Sequence, residues 1–255
     1  MESGSVSSHG SKLMAAELVN SSRPPFLRPP FLRPPFPRPP FLVRPPGVYA
    51  PQRDTWLLMA ALDREGIGPG AAVLDIGTGS GALAIRAAQL GGKVTAVDIT
   101  RRAVATARLN ATLHLCRIAV HRGDLASAIR AHTFDLVLCN PPYVPAPAAD
   151  VPRRGAARSW DAGTDGRAVV DRVCEGAPTM LRRGGVLLMV HSGLCDPGAT
   201  LRHLDRVGLD ATVSNRVHIP FGPVLRSRED WLRERELLEG EEKTEELVVI
   251  RAERT

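Results

Sequence analysis

A chain of 255 residues, 44% hydrophobic and 24% charged with a net charge of +6, has enough apolar mass for one large core and the composition of a globular protein. No apolar run approaches the roughly 18 to 20 residues of a membrane helix. The first residues lack the charged head and apolar centre of a signal peptide, so a cytoplasmic protein away from membranes is expected. The four cysteines, Cys116, Cys139, Cys174 and Cys195, contain no CxxC pair. Reduced thiols are therefore expected rather than a zinc site or a disulfide framework.

The stretch RPPFLRPPFLRPPFPRPPFLVRPPG fills residues 23–47. Such a repeat favours solvated polyproline II and has too little apolar surface to build a core. Proline- and arginine-rich segments can also dock on aromatic grooves or RNA. Composition favours a disordered, dispensable extension over residues 1–46, with the folded domain over 47–255. Residues 1–46 carry six basic and two acidic groups, which leaves only +2 for the rest. A large phosphate-binding face on the domain is thus disfavoured.

From Val48 the pattern becomes regular. PQRDTWLLMAALDRE reads as a helix capped by Asp54 and ended by the breaker GIGPG. Strands and helices then alternate: AAVLDIG, the helix GALAIRAAQLGG, the strand KVTAVDI, and a helix with Thr100 as its cap. There follow a strand at RIAVHRGD, a short helix at LASAIRAH and the strand TFDLVLCN. DGRAVVDRVCEGAPTMLRRGG reads as a helix, VLLMVHS as a strand and ATLRHLDRVG as a helix. The final strands are ATVSNRVHI and EELVVIRAE, separated by a charged segment whose default is a surface helix. Apolar strands alternating with amphipathic helices predict an α/β, Rossmann-like doubly wound sheet, mostly parallel, with helices on both faces. Right-handed crossovers then bring the loops after the strands to one edge.

The chemistry-bearing residues fall on that edge. The first strand runs into LDIGTGSG, where Gly77, Gly79 and Gly81 allow a turn that approaches a ligand closely and presents N–H groups to a carboxylate or phosphate. Asp75 precedes the turn. Asp98 ends the next strand, placed to accept the two hydroxyls of a ribose. Asp124 and Leu125 end the third, where an adenine edge would lie. Singly, each carboxylate could be a cap or a loop solvating group. In this order they describe one adenosine-containing ligand crossing the sheet edge. From about Val48 to Arg254 the chain resembles a class I S-adenosylmethionine-dependent methyltransferase, a resemblance that implies seven strands and S-adenosylmethionine as cofactor.

After the fourth strand comes NPPY, Asn140 to Tyr143. It resembles the loop of enzymes that methylate a planar nitrogen, and the chemistry explains its residues. An amide or aryl-amine nitrogen is a poor nucleophile because its lone pair is delocalised. The Asn140 side-chain oxygen and Pro141 carbonyl could accept both N–H hydrogens and offset the charge that develops on transfer. Tyr143 could stack on the planar group. Asn140 also adjoins the cofactor edge. GVYAPQRDTWLL and SWDAGTDGRAVVDRV, at residues 47–58 and 159–173, are similar to the flanking segments of the HemK/PrmC glutamine methyltransferases, in their short branch without the helical N-terminal domain. That resemblance implies methylation of the Gly-Gly-Gln glutamine of a class I release factor, and leaves open whether a small activator subunit is a further partner. The residues leave open an RNA or DNA amino group as acceptor, and a cofactor-binding scaffold without turnover.

Overall fold

Seven strands form one sheet in the computed structural model, which describes residues 41–129 and 132–255. They are β1 (Ala72–Ile76), β2 (Lys93–Asp98), β3 (Ile118–Arg122), β4 (Phe134–Cys139), β5 (Leu181–Ser192), β6 (Leu209–Pro220) and β7 (Thr244–Arg254). Their spatial order is β3-β2-β1-β4-β5-β7-β6, with β1 to β5 parallel and β7 antiparallel to both β5 and β6. The helices are α1 (Arg53–Glu65), α2 (Ala82–Gln89), α3 (Arg101–Leu113), α4 (Val170–Met180), α5 (Pro197–Arg206), α6 (Pro223–Arg226) and α7 (Glu229–Glu234). The expected doubly wound, mostly parallel α/β architecture is the one the chain adopts. Among the described residues no helix is long and apolar enough to cross a membrane.

Two-residue periodicity explains why both faces are covered. Val73, Leu136, Leu138, Val190 and Val249 face α1, α2 and α3, while Leu74, Ile76, Val137, Met189 and Ile250 face α4 and α5. Alternate residues of one strand thus serve two cores, which is why the strands read as continuous apolar runs. β1 lies between β2 and β4, so successive connections leave it on opposite sides. The crevice that results sits beyond the carboxyl ends of β1 and β4.

Two local expectations are corrected. Gln52, not Asp54, occupies the cap of α1, and it makes no side-chain capping bond. Asp54 lies inside the first turn and is only 3% exposed. Its side chain is drawn inward by partners distant in sequence, described below. Thr100 does cap α3, accepting from the Ala103 N–H at 3.1 Å. The charged segment before β7 forms α6 and α7 instead of one surface helix. Phe221, Leu225, Leu232 and Leu238 give it a small apolar core of its own. Arg228 anchors it, donating to the Pro145 carbonyl at 2.8 Å and pairing with Asp161 at 2.7 Å.

Most of the proline repeat, and all of residues 1–40, lies outside the described residues. Residues 41–46, on the extension side of the expected boundary, pack on α3. Leu42 is 8% exposed within the core that α1, α2 and α3 cover. Asn110 of α3 is fully buried and clamps Val43 through both its donor and its acceptor, at 3.0 and 2.9 Å. The same amide donates to the Ser80 carbonyl at 2.8 Å, so one side chain ties this segment to the glycine turn. Arg102 adds a bond to the Pro46 carbonyl at 2.6 Å. Replacing Asn110 with Ala leaves buried backbone groups of Val43 and Ser80 unpaired. The variant should lose about 2 kcal/mol and melt about 4–8 °C lower. A thermal melt that matches the wild type would show that residues 41–46 contribute nothing to the fold.

Candidate active site

A cavity of about 650 Å³ opens beyond the carboxyl ends of β1, β2 and β4. Of the residues singled out in the sequence, Gly77, Gly79, Asp98, Asp124, Leu125, Asn140, Pro141 and Tyr143 line it. Asp75 and Gly81 do not. Both stand behind the wall, and each has an evident packing reason. Asp75 is 1% exposed, and its Oδ2 accepts from the Thr78 hydroxyl at 2.6 Å and the Ala84 N–H at 3.1 Å. Burial pushes this carboxyl up to about 7, and the bonds from Thr78 and Ala84 offset part of the rise. Gly81, at φ +88°, backs onto α3, where a Cβ would sit 3.3 Å from the Ala107 Cα.

The glycine turn does its work differently from the expectation. The Gly77 and Thr78 N–H groups donate to the Val97 carbonyl at 2.9 and 3.1 Å, and the Gly79 N–H to Asp98 Oδ2 at 3.0 Å. Donors expected to face a ligand instead fasten the turn to β2. Asp98 Oδ1 meanwhile accepts from the Thr100 N–H at 2.8 Å and its hydroxyl at 3.1 Å. The carboxylate is thereby fixed in orientation at the cavity wall. Val97, Ile99 and Leu125 form an apolar stretch beside it, and Asp124 is paired with Arg172 at 2.8 Å. A fixed carboxylate for a diol next to an apolar slot for a flat base fits an adenosyl group. Carboxylates from Asp54, Asp98 and Asp124 around the same cavity suit a cationic sulfonium.

The NPPY end of the cavity is organised around Asp54. Its buried carboxylate receives five hydrogen bonds from four residues: the Tyr49 hydroxyl (2.6 Å), the Tyr143 hydroxyl (3.1 Å), the Asn140 amide (3.1 Å), and the Thr55 N–H (2.5 Å) and hydroxyl (3.2 Å). The Asn140 N–H₂ also reaches the Thr55 hydroxyl at 3.2 Å. With its amide hydrogens spent on a carboxylate, the rotamer of Asn140 is chemically determined. Its amide oxygen is left without a partner among the described residues, on the cavity wall. Burial, reinforced by the charge of Asp54, holds the phenols of Tyr49 and Tyr143 well above their ordinary range, so both remain donors.

The backbone that follows is braced from behind. The Val144 N–H donates to the Trp160 carbonyl at 2.7 Å, and the Ala162 N–H returns to the Val144 carbonyl at 3.0 Å. Cys195 Sγ donates to the Tyr143 carbonyl at 2.9 Å. Gly166 adopts φ +72°, and a Cβ there would collide with that carbonyl and lie 2.8 Å from the Cys195 sulfur. The segment GTDG, residues 163–166, is therefore the backing of the NPPY turn. Two further residues of the cavity are Asp54, which reads as a helix cap in the sequence, and Glu245, which no motif marks. For Asp54 the signal was available in the Tyr49 and Asp-Thr pattern of residues 47–58. Glu245 sits in the run EGEEKTEE, where nothing local distinguishes it.

Residues 41–152 match the family model described as methyltransferase small domain. Over 181 residues the chain is 33% identical to a Methanocaldococcus jannaschii protein assigned as a protein N5-glutamine methyltransferase, covering 69% of this chain and 88% of that one. It is 32% identical to the release factor glutamine methyltransferase of Geobacter sulfurreducens, over 64% of this chain but only 59% of the length of that enzyme. Among solved structures, the E. cuniculi Mtq2–Trm112 complex, responsible for methylation of the termination factor eRF1, superposes with a TM-score of 0.60 at 24% identity. That match covers 82% of this chain and 99% of the other, and it bears on the fold. The chain belongs to the protein N5-glutamine methyltransferase family, enzymes of class I fold that use S-adenosylmethionine.

Proposed function

We propose that the protein methylates the side-chain amide nitrogen of a glutamine in the Gly-Gly-Gln loop of a class I release factor. The observation that carries this reading is the fixed amide of Asn140, whose oxygen is left to the cavity while its hydrogens are held by Asp54 and Thr55. Bound S-adenosylmethionine supplies a methyl group made electrophilic by the adjacent sulfonium. Asp98 would hold the ribose hydroxyls of the cofactor, and Val97, Ile99 and Leu125 its adenine, with Gly77 and Gly79 leaving room for close approach. Asn140 and the Pro141 carbonyl accept the two N–H hydrogens of the glutamine amide. Such acceptors draw the nitrogen lone pair out of conjugation and grow stronger as the nitrogen becomes positive. Tyr143, its hydroxyl anchored on Asp54, presents its ring to the planar amide.

A partner subunit belongs to the same proposal. β3 is an edge strand, and beside it Leu109, Leu113 and Leu115 are exposed, Leu115 at 93%. An apolar strip next to an open sheet edge suits a small protein partner that pairs with the strand and covers the leucines. The E. cuniculi neighbour, itself a complex with Trm112, supports that reading.

The decisive experiment is transfer of labelled methyl from S-adenosylmethionine to a release factor. Mass spectrometry should place the methyl on the Gly-Gly-Gln glutamine, and label that survives protease but disappears with nuclease would overturn the reading. Asn140→Ala should lower single-turnover rates roughly a hundredfold or more, as loss of one electrostatic stabiliser does, with cofactor affinity nearly intact. Asp54→Ala should reproduce most of that loss, because it frees the Asn140 amide. Wild-type rates in both would return the NPPY turn to a purely structural role. For the cofactor, calorimetry on Asp98→Ala should show affinity weakened by about 2 kcal/mol, and an undiminished affinity in the folded variant would remove Asp98 from the ribose site.

A further inference from the structure

Glu245 lies at the start of β7, paired with Ile219 of β6. Strand alternation puts its side chain on the same face as Leu247 and Val249, toward α1. It is 8% exposed, lines the cavity together with Ile219 and Tyr143, and its Oε2 has no hydrogen-bond partner among the described residues. A buried carboxyl oxygen without a partner is costly unless a ligand completes it. The neighbouring groups are already committed to one another. The hydroxyls of Tyr49 and Tyr143 and the Asn140 amide all donate to Asp54.

We propose that Glu245 is a specificity-determining residue for the methyl acceptor, meeting the carbonyl oxygen of the acceptor amide as a hydrogen-bond donor. The inference rests on the amide reading above. A primary amide has two donor hydrogens and one acceptor oxygen. With both hydrogens taken by Asn140 and Pro141, the remaining oxygen needs a donor once water is excluded. A carboxyl group that keeps its proton supplies one. A glutamate acceptor brings no N–H for Asn140, and a lysine ammonium brings no oxygen for Glu245, so the pair reads an amide.

The electrostatics agree with the geometry. Burial pushes the Glu245 carboxyl up to about 7; the Ser192 hydroxyl opposes the rise and the Asp54 charge adds to it. The groups facing it come from several elements: Asp54 of α1, Tyr49 ahead of it, Tyr143 after β4, Ser192 at the end of β5 and Cys195 after it. Burial raises both phenols and the Cys195 thiol, so none of these three ionises near neutrality. His191 of β5 is pushed down to about 4 by burial and stays neutral there. Glu246 points to the other face and pairs with Arg216 at 2.7 Å.

Methyl transfer makes the amide nitrogen positive and withdraws electron density from the carbonyl oxygen. The bond from Glu245 is therefore strongest before transfer, and its loss appears in KM more than in kcat. The sign with pH follows: the carboxyl holds its proton below about 7, so KM for a glutamine substrate rises as the pH is raised through that value. The test uses the full chain, S-adenosylmethionine and a synthetic Gly-Gly-Gln loop peptide, with initial rates from pH 6 to 8.5. Wild-type KM should rise several-fold over that range. Glu245→Gln keeps an N–H donor at every pH and should give a KM without that rise. Glu245→Ala should raise KM about tenfold at pH 6, the scale of one lost hydrogen bond, and leave the calorimetric affinity for the cofactor in place. A wild-type KM flat with pH, an alkaline rise retained in Glu245→Gln, or an Ala variant with wild-type KM would each overturn this inference alone. If the wild type transfers no methyl to the glutamine peptide, the amide reading falls and the inference falls with it.

Discussion

The carboxylate of Asp54 gathers the NPPY end of the cavity, because it is the hydrogen-bond acceptor toward which four residues from separate parts of the chain converge. Tyr49 arrives from the segment ahead of α1, Thr55 from α1 itself, and Asn140 and Tyr143 from the turn after β4. A buried carboxylate in a medium of low dielectric is tolerable only when it is well supplied with donors. Five hydrogen bonds meet that need here, and in meeting it they fix the rotamers of every contributor. Pre-organisation of the site and satisfaction of a buried charge are one arrangement. Loosening any one donor would relax the others.

The sheet supplies the frame on which this convergence depends. β1 and β4 are neighbours in space, although residues 77–133 intervene in sequence. The glycine turn after β1 and the NPPY turn after β4 therefore share one crevice. The first is locked to β2 through its own N–H groups, the second to residues 160–166 and Cys195. The backbone at both turns is thus held from the side away from the cavity. Nothing in this scheme asks the loops to be ordered by ligand, which is consistent with a site whose wall geometry is set by internal hydrogen bonds.

The two ends of the cavity differ in electrostatic character. At the end beyond β2 and β3, Asp98 has both oxygens oriented by backbone donors, and Asp124 is matched by Arg172. At the NPPY end, the Asp54 carboxylate is met by neutral donors alone and Glu245 keeps one oxygen unmatched. A carboxylate held by neutral donors raises its neighbours' affinity for protons, which is why the phenols nearby resist ionisation. Of the buried side-chain atoms left without a hydrogen-bond partner among the described residues, this oxygen belongs to a residue on the cavity wall beside Tyr143.

What the sequence determined by itself was whatever depends on short-range pattern. The alternation of apolar runs and amphipathic helices fixed the layers, because burial on both faces demands continuous apolar strands. The acidic strand ends and the NPPY turn located the cavity edge, because right-handed crossovers send successive strand ends to one side. Asp75 and Gly81 marked the right turn but stand behind its wall, since proximity in sequence does not say which way a side chain points. Asp54 looked like a helix cap because, within its own dozen residues, a cap is its commonest use. Its partners Asn140 and Tyr143 lie 86 and 89 residues away, and only the sheet order brings them together. Glu245 was indistinguishable from the acidic residues around it until strand parity turned it inward. Tertiary structure decided these, because burial and hydrogen-bond supply depend on contacts between residues far apart in the chain.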